Sequence, residues 1–294
     1  MTFRRVLIIA NPIAGRGQAK ARAEALREGL GEAARRVELF LTAARGDAEA
    51  KARSACAASE SPDLVVIVGG DGTVAEVLSG LDPVVPLGIH PMGTANVMGR
   101  DLGLPTSVDG TLAMLADGRR QGLDVARVNE RLSFLVVGVG FDGAAVRDVE
   151  ARRRGPITKW TYVRAVLRTL WGWKPPQLTV ALDGVPHPNR VGWILVSNIV
   201  GYGGLLRLWS GRQLDDGLYE VFLFEKSTRF ALVRYALAGL LGRLPGRHAH
   251  LAQARHVRVE SDMPVPYQVD GDFGGETPVD IEITGKRFQL ILPR

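Results

Sequence analysis

Apolar positions along the chain fall into two regimes. Over the first 125 residues, short apolar runs alternate with longer stretches of helix-forming residues. Residues 6–10, 37–41, 64–68 and 86–90 predict strands. The LVVIV run at 64–68, between Pro62 and Gly69, has the β-branched texture of a strand buried on both faces. Residues 18–30, 47–59, 73–81, 94–102 and 107–116 predict helices. Strands alternating with helices imply an α/β fold, a parallel sheet with helices on both faces. From about residue 123 strand-like runs follow one another directly: 123–128, 132–139, 177–182, 191–199, 218–224, 256–260, 266–269, 279–283 and 288–292. Asn129-Glu130 and Asp183-Gly184 read as turns between them. This half is mainly β, with helical insertions at about 156–171 and 227–244.

Composition adds limits. The 294 residues suit about two domains, and 46% hydrophobic with 23% charged residues is ordinary globular composition. A single cysteine, Cys56, excludes a disulfide framework and any multi-cysteine metal site. The basic pair and apolar run at the N-terminus lead straight into Pro12 and read as a first strand, not a signal peptide. No uncharged stretch is long and uninterrupted enough to span a bilayer. The net charge of +6 is concentrated. Residues 151–174 hold seven basic residues and no acid (Arg152, Arg153, Arg154, Lys159, Arg164, Arg168, Lys174). Residues 226–259 hold seven more and no acid (Lys226, Arg229, Arg234, Arg243, Arg247, Arg255, Arg258). The remainder is net acidic. Basic segments of this kind seek anions such as headgroups, nucleic acid or phosphorylated substrates, or they are solvated helix faces.

Three turns carry chemistry. Gly69-Gly70-Asp71-Gly72-Thr73 closes a buried strand and opens a helix. Its glycines let backbone approach a ligand closely. The helix N-terminus offers N–H groups suited to phosphate. Asp71 there suits a metal ion or a nucleotide hydroxyl, or simply a helix cap. NPIAGRG (11–17) and the turn 91–96 also follow strands and precede helices, so all three lie where parallel sheets bind ligands. Lys20 stands where a dinucleotide fingerprint needs its third glycine, and no P-loop is present.

These stretches resemble the diacylglycerol kinase catalytic-domain family, which includes soluble bacterial lipid kinases and sphingosine kinases. The matches are NPIAGRG (11–17), LTAARGDA (41–48), VGGDGTVAEV (68–77), PMGTANVMGRDLGLP (91–105), LDVARV (123–128), GVGFDG (138–143), LDDGLYEV (214–221) and VDGD (269–272), in family order along nearly the whole chain. The resemblance implies a nucleotide-binding domain over 1–124 and a β-sandwich lipid-binding domain over 125–294, whose last strand returns towards the first. It implies ATP and Mg2+ as cofactors. Asn11, Gly15 and Arg16 would line the phosphates, and Thr42 would contact the nucleotide. Gly69, Gly70, Asp71, Gly72 and Thr73 would form the main ATP and Mg2+ element, supported by Glu76. Gly93, Thr94 and Asn96 would close the site. Asp216, with backbone at Gln213 and Leu218, would hold a structural Mg2+. Asp270 would be the general base, with Asp272 where the family usually has Glu. Ala75 and Val97 also depart from the family, which often has Asn and Asp there.

The expected activity is therefore transfer of the ATP γ-phosphate to a hydroxyl of a membrane lipid such as diacylglycerol. Asp270 would take the proton, and the turns would hold the phosphates. The alternatives are a soluble small-molecule kinase like NAD kinase, which shares GGDGT, and a catalytically silent nucleotide- or lipid-binding regulator. The basic insertions interleave Trp160, Tyr162, Trp171 and Trp173 with cations, and 230–244 is broadly apolar. That pattern predicts peripheral contact with an anionic membrane surface from the cytoplasm, or helices that cover the β domain. No nucleic-acid-binding module is recognisable. A homodimer is compatible with the sequence.

Overall fold

The computed structural model describes residues 3–31, 34–58, 60–152, 159–202, 206–207, 211, 213–244, 246 and 248–294. Arg153, Arg154, Arg247 and positions 156–158 of the first expected insertion lie outside the described residues. The chain forms two compact units, Met1–Leu123 with Lys286–Arg294, and Asp124–Gly285.

The first unit runs β1 (Phe3–Ala10), α1 (Ala19–Gly31), β2 (Ala34–Leu41), α2 (Asp47–Ala57), β3 (Leu64–Gly69), α3 (Asp71–Gly80), β4 (Leu87–Pro91), α4 (Val97–Asp101), α5 (Val108–Asp117) and the start of β5 (Arg119–Val128). Its strands pair in the order β2-β1-β3-β4, all parallel. β3 is buried along its whole length, as its unbroken apolar run requires of a strand covered by helices on both faces. Helix 94–102 of the sequence reading is shorter than expected. It begins at Val97 because Asn96 takes a left-handed conformation (φ 46°, ψ 53°).

The second unit continues with β6 (Arg131–Ser133), β7 (Val136–Val139), α6 (Phe141–Ala151), α7 (Lys159–Gly172), β8 (Leu178–Leu182), β9 (Val185–Pro186), β10 (Trp193–Ser197), β11 (Gly201–Tyr202), β12 (Leu206–Arg207) and β13 (Tyr219–Phe224). It then runs through α8 (Arg229–Leu240), β14 (Ala249–Ala254), β15 (His256–Ser261), β16 (Pro266–Val269), β17 (Asp272–Glu276) and β18 (Val279–Leu292). One antiparallel sheet has the order β14-β13-β10-β7-β16-β17. β8 and the first part of β18 flank β15 in the other layer. Inward side chains of both layers, among them Val139, Val180, Ile194, Val221, Val259 and Ile281, form one buried core. Each such side chain contributes about 1.5–3 kcal/mol when fully buried. The opposite face of β10 and β13 lies under an aromatic cluster, with Trp193 stacked on Phe224 (4.2 Å) and Phe141 edge-on to Trp173 (5.3 Å).

Six elements have no counterpart among the runs expected from the sequence: α6, β14, β17 and the short strands β9, β11 and β12. The expected strand 132–139 is broken into β6 and β7, and the expected strands 279–283 and 288–292 are one continuous β18. The last residues of β18 belong to the first unit, where Leu290 pairs with Leu87 of β4. No helix among the described residues is long and apolar enough to cross a membrane.

Candidate active site

In the first unit the register places the expected loops on one rim. Ala10 pairs with Leu41 and with Val68, and Gly69 pairs with Pro91. The next residues out are Asn11, Thr42, Gly70 and Met92, so four loops leave adjacent strands at one level. β2 and β3 lie on opposite sides of β1, so the strand order reverses there, the kind of crevice in which open parallel sheets bind ligands. The loops are tied to one another. Asn11 N donates to Val68 O at 3.0 Å, Thr42 N to Ala10 O at 2.9 Å and Met92 N to Gly69 O at 2.7 Å. Asn11 Oδ1 accepts from Ile13 N at 3.2 Å. Gly15 and Arg16 are both left-handed, at φ 60° and 59°, and the Arg16 side chain is exposed.

Gly70 and Gly93 explain why this rim is glycine-rich. A Cβ on Gly93 would lie 2.5 Å from Gly70 Cα, and one on Gly70 would lie 2.9 Å from Gly93 Cα. The two loops therefore pack backbone on backbone. Asn96 Oδ1 is tucked against this contact, buried and without a hydrogen-bond partner. Thr94 is exposed, Thr73 is buried, and Glu76 stands one turn further along α3. Gly72 differs from Gly70 and Gly93, since a Cβ there would meet nothing within 4 Å.

Asp71 has a structural role within the rim. Its Oδ2 accepts from Val97 N at 2.9 Å and its Oδ1 from Met98 N at 3.3 Å. It caps α4 from the neighbouring loop and fixes the 91–98 turn. Burial raises its pKa, and these N–H groups work against that rise. Because the bond runs to the main chain, the departure at Val97 does not weaken it.

In the second unit Asp270 and Gly271 form the two-residue loop between β16 and β17, with Val269 paired to Asp272. Both have positive φ, 52° and 93°, as a type I′ hairpin turn demands. The hairpin and the candidate base are thus the same residues. The Asp270 carboxylate explains the break between β6 and β7. Its Oδ1 accepts from Ser133 Oγ at 2.7 Å, Leu135 N at 3.0 Å and Val136 N at 2.9 Å, and its Oδ2 from Phe134 N at 3.0 Å. Main-chain groups that would have continued a strand are directed at the carboxylate. Oδ1 is saturated, while Oδ2 keeps a lone pair. Burial pushes the pKa of this carboxyl up to about 6, against four hydrogen bonds that favour its ionised form. Asp272 is exposed at the start of β17.

The Leu214–Leu218 turn is built around Asp124. Asp124 Oδ2 accepts from Gly217 N at 2.6 Å, and Asp124 N donates to Leu214 O at 2.8 Å. Asp216 Oδ1 accepts from Leu218 N at 2.9 Å. No group of three or more His, Cys, Asp or Glu among the described residues is placed to hold a metal. The donors expected here, one carboxylate and main-chain oxygens, are all hard oxygens. They suit an ion such as Mg2+ that keeps most of its waters.

The diacylglycerol kinase catalytic domain model matches residues 5–128, and the YegS C-terminal NAD kinase beta sandwich-like domain model matches residues 135–292. Over residues 135–292 the chain belongs to the YegS C-terminal NAD kinase beta sandwich-like domain family, and residues 5–128 carry a diacylglycerol kinase catalytic domain, which is a kinase domain. The chain is 25% identical to a diacylglycerol kinase of Bacillus subtilis (strain 168) over 99% of its own length and 97% of the relative's. It is 28% identical to a diacylglycerol kinase of Mycobacterium tuberculosis (strain CDC 1551 / Oshkosh) over 99% and 96%. Its fold is similar to the crystal structure of a diacylglycerol kinase from Bacillus anthracis str. Sterne (TM-score 0.76, 23% identity, 99% and 98% of the two chains). It is more distantly similar to an NAD kinase from Archaeoglobus fulgidus in complex with ATP (TM-score 0.51, 17% identity, 98% and 93%).

Three buried carboxylates inside the family stretches had no assigned role: Asp124, Glu220 and Asp142. Asp142 Oδ1 accepts from Trp193 Nε1 at 2.9 Å and its Oδ2 accepts from Gln268 Nε2 at 3.1 Å. Gln268 Oε1 in turn accepts from Gly271 N at 2.7 Å. A hydrogen-bonded chain therefore runs from β10 through Asp142 and Gln268 to the turn that carries Asp270. A Cβ on Gly138 would fall 1.6 Å from Asp142 Oδ2, so the glycine makes room for the carboxylate. GVGFDG is the only trace of this arrangement in the sequence.

Proposed function

We propose that this protein is an ATP-dependent lipid kinase that phosphorylates a hydroxyl of a membrane lipid, diacylglycerol being the simplest acceptor. The observation that carries this reading is the Asp270 carboxylate. Its pKa of about 6 makes it more basic than an ordinary aspartate yet mainly ionised at neutral pH. Oδ1 is held by three donors, and Oδ2 is the atom that accepts the proton from the lipid hydroxyl. The curated relatives named diacylglycerol kinase support the acceptor class.

In the first unit, the N–H groups at the start of α3 and the loops at Asn11, Gly15, Arg16, Thr42, Gly69, Gly70, Thr73, Gly93, Thr94 and Asn96 are the proposed ATP cradle, with Glu76 behind it. Phosphoryl transfer demands mainly positioning and charge neutralisation, which a rim of backbone donors supplies. Asp71 holds the 91–98 turn in place for this. The proposed Mg2+ ligands are Asp216 with main-chain oxygens of Gln213 and Leu218, and Asp71 on the ATP side; Asp272 is proposed to support the ATP side as well. When bound, Mg2+ supplies positive charge to phosphate oxygens or rigidity to the turn.

Incubation with radiolabelled ATP, Mg2+ and either diacylglycerol in mixed micelles or NAD separates the two kinase readings. Label in the organic phase that depends on Asp270 supports the lipid kinase. Label on NAD alone favours the small-molecule kinase. ATP binding without transfer to either favours the silent regulator.

A further inference from the structure

We infer that α7 and α8 form a docking face for an anionic bilayer surface. This rests on the lipid kinase reading only for what the docking would deliver.

α8 is apolar on two sides. Leu232, Tyr235 and Gly239 are buried against the rest of the unit, whereas Phe230, Leu237 and Leu241 are 90%, 57% and 66% exposed. On α7, Trp160, Leu167 and Trp171 recur at spacings of seven and four, which places them on one helical face. They are 72%, 60% and 81% exposed. The two exposed faces adjoin, because the Arg229 guanidinium lies 5.9 Å above the Trp171 ring and Trp173 Nε1 donates to Ser227 O at 2.7 Å. A soluble surface rarely leaves so much contiguous apolar area uncovered.

Charge selects the occupant. Neither helix contains an aspartate or glutamate, and Arg164, Lys174, Arg229 and Arg243 are exposed beside the apolar stripe. The neighbouring Asp148 is already paired with Arg152 and Arg168. Aromatic and aliphatic tips ringed by long cationic side chains match an acyl boundary under anionic headgroups. A second copy fits poorly, because a two-fold contact would set this cationic patch against itself. The reverse side of α7 reaches the turn that carries Asp270: the Tyr162 hydroxyl donates to Gly271 O at 3.4 Å. Docking through α7 therefore seats the bilayer on the same helix that touches this turn.

The test is vesicle flotation of the full chain with phosphatidylcholine, with and without phosphatidylglycerol, at low and high salt and without ATP. The protein should float with the anionic vesicles and be released by salt. Trp171→Asp with Phe230→Asp should weaken binding at least tenfold, and Arg229→Ala about fivefold. Met263→Asp, at a side chain 73% exposed elsewhere on the unit, should bind like wild type, and matched melting temperatures should confirm folding. Wild type that stays unbound at low salt, or a double variant that binds as wild type does, would overturn the proposal. So would a double variant that changes only the oligomeric state on a sizing column. The double variant should retain turnover on a short-chain diacylglycerol dispersed as monomers. Vesicle binding with no lipid phosphorylation by wild type would overturn the kinase reading and leave the docking face standing.

Discussion

Gly72 offers the sharpest test of the ATP cradle. Its backbone is compatible with any residue, it lies in the first turn of α3, and a Cβ on it would touch no protein atom within 4 Å. The fold gives no reason for a glycine there, and the proposed ATP cradle would supply one. Gly72→Ala should stabilise the free protein by about 0.5–1 kcal/mol, the usual gain of alanine over glycine in a helix. That corresponds to about 1–4 °C in melting temperature. The same methyl group would occupy the space in front of the helix N–H groups and cost ATP about 1–3 kcal/mol of steric strain, a loss of about 5- to 150-fold in affinity. Gly93→Ala is the matched contrast, since its Cβ would fall 2.5 Å from Gly70 Cα. It should lower stability by about 1–3 kcal/mol and weaken ATP as well. Calorimetric titration with ATP and thermal melts of both variants decide it. A Gly72→Ala protein that binds ATP as tightly as wild type would refute the placement of phosphate at the α3 N-terminus.

Other consequences follow from the carboxylates and from His90. Asp270 must be ionised to act, so kcat/KM should rise with pH through about 6 and level off above it. Ser133→Ala removes a donor that favours the ionised form, so the acid limb in a pH–rate profile should move up by about one unit. Asp142→Asn should lower kcat and destabilise the second unit by about 1–3 kcal/mol while ATP affinity, read by calorimetry, stays unchanged. His90 is fully buried, and burial, helped by the charge of Arg22, lowers its pKa to about 4. The Thr111 hydroxyl proton goes to Ser107 O, so His90 donates from Nδ1 and keeps Nε2 as a bare acceptor. Between about 6.5 and 4 only the unfolded chain binds the proton, so stability should fall as pH drops through that window, by about 3 kcal/mol in full. Urea midpoints at pH 7 and 4.5 should differ less in His90→Phe than in wild type.

Local signals in the sequence were strong where the chain obeys one period. The run at 64–68 and the Ala-rich segment from 47 announce a buried strand and a helix without tertiary help, and the parallel order follows from their alternation. The rim was legible because glycine-rich turns sat directly after such strands. What the sequence hid depends on contacts between distant residues. Asp71 caps a helix that begins 26 residues later, and the donors to Asp270 lie at least 134 residues away. No spacing rule links such positions. The break at Phe134 and Leu135 falls inside an apolar run that reads as one strand, because the N–H groups that leave the ladder carry no side-chain signature. α6 has no counterpart among the expected helices, and its first turn, Phe141-Asp142-Gly143, is held by contacts of Asp142 with the distant Trp193 and Gln268. The exposed faces of α7 and α8 could be read as amphipathic, but only the structure separates the aromatics that pack inward, such as Trp173, from those that point out, such as Trp171.

The central claim is that Asp270 Oδ2 takes the proton from the lipid hydroxyl while the first unit holds ATP. Single-turnover transfer from preloaded, labelled ATP to diacylglycerol, measured for wild type and Asp270→Asn, tests it directly. The account predicts equal ATP affinity for both proteins and transfer slowed by about 100-fold or more in the variant, the scale of a lost general base. Transfer by Asp270→Asn within tenfold of wild type, with the lipid as acceptor, would contradict it.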